Sequence, residues 1–122
     1  MPAADPRERL QRDYRPAFLR YLSRRDEPAR HAGYLLGRAA VSAGQGMLDV
    51  VEAHHATLLE VLPDARDAQE VLTMSTAASE FLTEVLASFS MTSGAFASMA
   101  EQLEDAQREL AALRAQVTAD TG

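Results

Sequence analysis

The chain has 122 residues and a mass of 13.3 kDa, the size of one domain with one hydrophobic core. Hydrophobic residues make up 47% and charged residues 25%, a balance that excludes disorder for most of the length. No apolar run approaches the ~20 residues of a membrane span, the N-terminus lacks an apolar leader, and cysteine is absent. A cytoplasmic protein is therefore expected, without disulfides, thiolate chemistry or a zinc knuckle.

Charge is unevenly distributed. Residues 1–45 carry nine Arg against five acids, whereas residues 46–122 carry three Arg against thirteen acids, for a net charge of −6. Every basic residue is Arg. The overall acidity argues against sequence-independent nucleic-acid binding, which needs a basic face; the basic first third is the only feature pointing the other way.

The pattern is helical throughout, with no period-two alternation and no Asn-Gly or Asp-Gly hairpin signal. A first helix is expected from Asp5-Pro6, where Asp5 caps and Pro6 suits the first helical position. Leu10, Tyr14, Phe18, Tyr21 and Leu22 share its apolar face, and Pro16 predicts a kink or a restart near Asp13. A second helix is expected over 27–43, with Asp26 as cap, Pro28 near its start and Ala29, Ala32, Leu36, Ala39 and Ala43 inward. Gly44 and Gly46 end it. A third helix over about 47–62 places Val50, Val51, His54, Leu58 and Val61 or Leu62 on its apolar side, and Pro63 stops it.

The fourth helix, from about Ala65, carries the strongest pattern. Leu82, Val85, Phe89, Thr92, Phe96, Met99, Leu103, Ala106, Leu110, Leu113 and Val117 follow one another at spacings of 3 and 4 without a slip, and Thr92 alone is polar. Such a seam recurs every 3.5 residues, as a left-handed coiled coil requires, and spans about 54 Å if wholly helical. Leu82, Val85 and Phe89 serve equally as bundle core; from Phe96 onward the seam outruns a four-helix core of this size. With Phe96 at position a, Glu109 and Arg114 meet across a parallel pair. A long helix folding back on its own bundle is the alternative. Thr92-Ser93-Gly94 interrupts the pattern with a weak helical stretch.

Catalytic constellations are not evident. Glu52 and His55 have the spacing of half a di-iron site, but no second motif completes it, and His54 and His55 diverge by about 100° on a helix. One histidine is expected at a helix interface and its neighbour in solvent. Glu80 and Glu84 are expected on a solvated face. Gly44-Gln45-Gly46 lacks the rest of a phosphate loop, and none of the serines sits at a nucleophile elbow. The chain is therefore expected to be non-enzymatic and to need no cofactor.

Tyr14, Leu19-x-Tyr21-Leu22, Glu27, Leu36-Gly37-Arg38, Gly44, Asp49, His54-His55, Leu58, Phe81-Leu82-x-Glu84-x-Leu86, Phe89-x-Met91 and Phe96, in that order, resemble the N-terminal domain of RsbU-type serine phosphatases. Ser90 and Gly94 depart from that pattern. The resemblance implies an all-α, four-helix bundle over 13–96 that dimerises and has no activity of its own. It further implies that the bundle receives an RsbT-like switch protein kinase, and that this docking activates a metal-dependent phosphatase in stress and sigma-factor signalling. By the same resemblance Tyr34, Arg38, Asp49 and His55 are expected to bind the partner. The remaining segments are expected as a partly flexible helix start (1–12), a coiled-coil connector (97–118) and a disordered tail (119–122). Phe89, Phe96, Met99, Leu103, Leu110 and Leu113 are expected to form a homodimer seam. A small-molecule sensor module, such as precedes a histidine kinase, and a purely structural dimerisation element are the competing readings.

Overall fold

Local capping chemistry sets the helix boundaries in the computed structural model, which describes residues 5–121. Helix α1 spans Pro6–Arg24, with the Asp5 carboxylate accepting from the Arg7 amide at 3.3 Å. Helix α2 spans Glu27–Ser42 and starts on Asp26, whose side chain accepts from the Ala29 amide at 2.9 Å. Helix α3 spans Met47–Val61, and a 3₁₀ turn over Leu62–Asp64 absorbs Pro63. Helix α4 spans Ala68–Thr121, a few residues later than the sequence suggests, because Asp67 caps it by accepting from the Glu70 amide at 2.7 Å. No strand occurs among the described residues, so the fold is all-α. None of the described helices is long and apolar enough to cross a membrane.

Two features differ from the sequence expectation for α1 and α4. Helix α1 runs through Pro16 without a restart. Pro16 is exposed, so the carbonyl that loses its amide partner there can turn to water. Helix α4 passes through residues 92–94 unbroken and covers 119–121, where a disordered tail was expected; Gly122 and residues 1–4 lie outside the described residues.

The chain divides into two compact units, Met1–Thr92 and Ser93–Gly122. The first holds the core. Phe81 of α4 is 1% exposed and meets Tyr14 and Phe18 of α1 edge-on, at 5.3 and 5.8 Å between ring centroids, and Tyr21 at 5.6 Å. Such pairs add roughly 0.5–1.5 kcal/mol each beyond the area they bury. Val50, Ala53 and Val61 of α3 and Leu36 and Ala40 of α2 complete this core.

The inward face of α2 follows the alanine row the sequence suggests only at its start. Ala29 and Leu36 are buried as expected, but Gly33, Gly37 and Ala40 complete the buried face, Ala32 is half-buried, and Ala39 and Ala43 are exposed. A Cβ on Gly37 would lie 2.4 Å from the Val85 carbonyl oxygen and 2.8 Å from the Phe89 amide nitrogen, and one on Gly33 would lie 3.0 Å from the Phe81 ring. Two glycines four apart thus let α2 lie directly on α4. Phe89, expected in the dimer seam, is only 8% exposed and belongs to this core.

The second unit is helical and presents its side chains to solvent throughout residues 93–120.

Candidate functional site

Residues 31, 34, 35 and 38 recur at i, i+3, i+4 and i+7 and therefore share one side of α2. The His31 and Tyr34 rings stack, with centroids 5.7 Å apart and planes inclined by 15°. The Arg38 guanidinium carbon stands 5.9 Å from the centroid of the Tyr34 ring. A cation held over an aromatic face gains about 0.5–1 kcal/mol at exposed sites. Arg38 and His31 are exposed, Tyr34 is half-buried, and Leu35 beside them is 49% exposed. Among the described residues no carboxylate forms an ion pair with Arg38.

The ladder is anchored from beneath. Ser88 of α4 is buried and its hydroxyl donates to the Tyr34 main-chain carbonyl. With Gly37 one turn further on against Val85 and Phe89, the α2 backbone that carries Tyr34 and Arg38 is fixed to α4 at two points.

The other two residues expected at a partner surface stand apart in chemistry. Asp49 is occupied: one carboxylate oxygen accepts from the Gly46 amide at 2.9 Å, closing the start of α3, and the other pairs with Arg7 at 3.0 Å. Its partner is thus Arg7 of α1 and not Arg38. His55 is exposed on α3, on the same side as the exposed Leu48, Val51 and Leu59.

His54, its neighbour, points into the core, as expected for one member of the pair. Its Nδ1 lies 2.7 Å from the Tyr14 hydroxyl, and its ring is edge-on to Tyr14 and Phe18. Burial, reinforced by the adjacent His55, pushes the His54 pKa down, and burial pushes the Tyr14 phenol up. Both groups therefore stay neutral and share one hydrogen bond between the phenol oxygen and Nδ1. Glu80 is not simply solvated: it accepts from Tyr21 Oη at 2.7 Å and from Arg25 Nη2 at 2.6 Å. The Arg25 hydrogen bond first, and the Tyr21 hydrogen bond second, hold its carboxyl below the usual range.

No group of three or more metal-ligating side chains converges among the described residues. A small cleft between α1 and α2 is walled by Leu10, Leu36, Ala39, Ala40 and Ala43, with Arg9 and Asp13 beside them. In the second unit, the seam residues Phe96, Met99, Leu103, Leu110 and Leu113 are 48 to 62% exposed.

Sequence reasoning named Tyr34 and Arg38 but missed His31, Leu35 and Ser88. The i, i+3, i+7 spacing of His31, Tyr34 and Arg38 was a readable signal; the reach of Ser88 to a carbonyl 54 residues away was not.

Comparison with known families gives one match. The family described as phosphoserine phosphatase RsbU, N-terminal domain, covers residues 12–92. No curated protein and no solved structure matches the chain.

Proposed function

The chain belongs to the family of RsbU N-terminal domains, and from that membership we propose that it is a non-catalytic, dimeric input domain that docks an RsbT-like switch protein kinase. In this reading the bundle over 13–96 receives the kinase in the cytoplasm. The segment 97–118 then relays the event to a metal-dependent serine phosphatase in stress and sigma-factor signalling. The family match carries the regulatory part of the reading. Tyr34 and Arg38 supply its docking side, with His55 on α3 as a further contributor.

The dimeric part is supported by the exposed seam. Phe96, Met99, Leu103, Leu110 and Leu113 repeat at heptad spacing on a helix with no covering element in its own unit. A second copy in parallel would bury them and bring Glu109 opposite Arg114. Phe89 drops out of that interface because it is already core.

Titration of the purified chain with the switch kinases encoded beside it tests the docking reading, and a stoichiometric complex is expected. Absence of binding by every such kinase defeats it. Sedimentation equilibrium tests the seam: the chain should run as a dimer at micromolar concentration, and replacing Leu103 and Leu110 with Lys should return it to 13.3 kDa.

A further inference from the structure

The α2 ladder has a property that neither family membership nor the dimer seam requires: it is an organised cation without a counter-charge. Arg38 is exposed, lies over the Tyr34 ring and makes no ion pair among the described residues. Elsewhere in the first unit Arg7, Arg15 and Arg25 are each paired with an acid on another helix, at 3.0, 2.8 and 2.6 Å. Arg9, Arg20, Arg24 and Arg30 likewise form no ion pair among the described residues, and Arg38 differs from them in lying over an aromatic ring on a helix fixed to α4. With its carbon over the Tyr34 ring and no acid engaged, the guanidinium keeps its N–H donors for the paired hydrogen bonds a carboxylate accepts.

Leu35 adds the second element. It is 49% exposed and sits one residue from Tyr34 on the same side of α2. A partner that seats only a charge gains little in water, whereas a charge beside an apolar contact is shielded and worth more. Anchoring by Ser88 and Gly37 lowers the ordering cost on binding, because the helix carrying the ladder is already fixed.

We propose that the His31–Tyr34–Arg38 ladder with Leu35 is the docking face for a protein segment that presents a carboxylate next to an apolar side chain. Arg38 takes the carboxylate, Tyr34 lies beneath its guanidinium and is itself backed by the stacked His31 ring, and Leu35 covers the apolar neighbour. This inference rests on the docking reading above and supplies the chemistry of the partner's side of that contact.

The test uses the full chain and the switch kinase that binds it, followed by calorimetric titration. Arg38→Glu should weaken binding at least tenfold. Arg38→Lys, which keeps the charge but loses the flat two-pronged donor, should fall between it and the native chain. Leu35→Ala, which alters no charge, should weaken binding as well. Arg66→Glu makes the same change in net charge at an exposed position outside the ladder and should leave affinity unchanged. Unchanged helical circular dichroism in all four variants assigns the losses to the contact itself. If Arg38→Glu binds no worse than Arg66→Glu, the inference is overturned while the docking reading stands. If the native chain binds no switch kinase at all, both fall together.

Discussion

Gly37 approaches α4 so closely that a Cβ on it would sit 2.4 Å from the carbonyl oxygen of Val85. Backbone atoms of a packed helix cannot swing aside as a side chain does, so Gly37→Ala must drive α2 off α4. The loss should be about 1–3 kcal/mol, exceeding the ~0.5–1 kcal/mol that alanine normally gains over glycine in a helix. Gly94, with nothing within 4 Å of its would-be Cβ, should show the opposite sign. Denaturant unfolding of Gly37→Ala and amide exchange across residues 90–98 of Gly94→Ala measure the two effects.

Acid should weaken the bundle through His54. Its pKa in the folded chain lies below the ordinary 6.5, so above that pH it is neutral in both states and the fold suffers no penalty. As pH falls through 6.5 the unfolded chain takes up the proton first, and stability is lost progressively until the folded pKa is passed. An imidazolium can only donate, and its charge would stand among the buried Tyr14 and Phe18 rings. Melting temperature should therefore drop between about pH 7.5 and 5.5 by more in the native chain than in His54→Gln, which does not titrate there. His31 and His55 remain in both proteins, so the difference belongs to position 54. Equal drops would refute the assignment.

Phe89 and Phe96 are seven residues apart on one helix and should fail in different ways. Phe89→Ala removes a core side chain and should cost about 3–5 kcal/mol of bundle stability. Phe96→Ala removes an exposed ring and should leave the unfolding transition of the bundle in place while raising the dimer dissociation constant. Thermal unfolding and sedimentation on the two variants separate these outcomes.

Tyr21 spends its hydroxyl on Glu80, which Arg25 also engages. Tyr21→Phe should cost about 0.5–1.5 kcal/mol, the net worth of a hydrogen bond in a protein. Because Glu80 is held below the ordinary carboxylate value, its contribution is complete above about 4.5 and fades as pH falls through its lowered pKa. A double-mutant cycle with Glu80→Gln, followed by urea unfolding at neutral pH and at pH 3, checks both statements.

The helix boundaries were legible because they are local: Asp5 before Pro6, Asp26 before Pro28, and Gly44 with its positive φ of 75° each act within a turn. The face of α2 was not, because a hydrophobic pattern counts side chains and Gly33 and Gly37 have none. Ala39 and Ala43 looked inward only while the approach of α4 was unknown. Asp49 illustrates a different gap. Its role as cap of α3 and partner of Arg7 requires a helix start and a salt bridge at once, and only the tertiary contact makes the second visible. Phe89 fitted both the heptad seam and the core, and spacing alone does not distinguish two apolar environments.

The contacts of α1 span long stretches of chain: Tyr14 to His54 across 40 residues, Arg15 to Glu60 across 45, and Tyr21 to Glu80 across 59. During synthesis α1 leaves the ribosome before α2, α3 and α4, yet Phe81, which three of its aromatic rings surround, emerges only when most of the bundle is already made. Of the four helices, the one made before the others is thus the one that waits longest for its partners. Until then its apolar face stands open to whatever chaperone or neighbouring nascent chain reaches it.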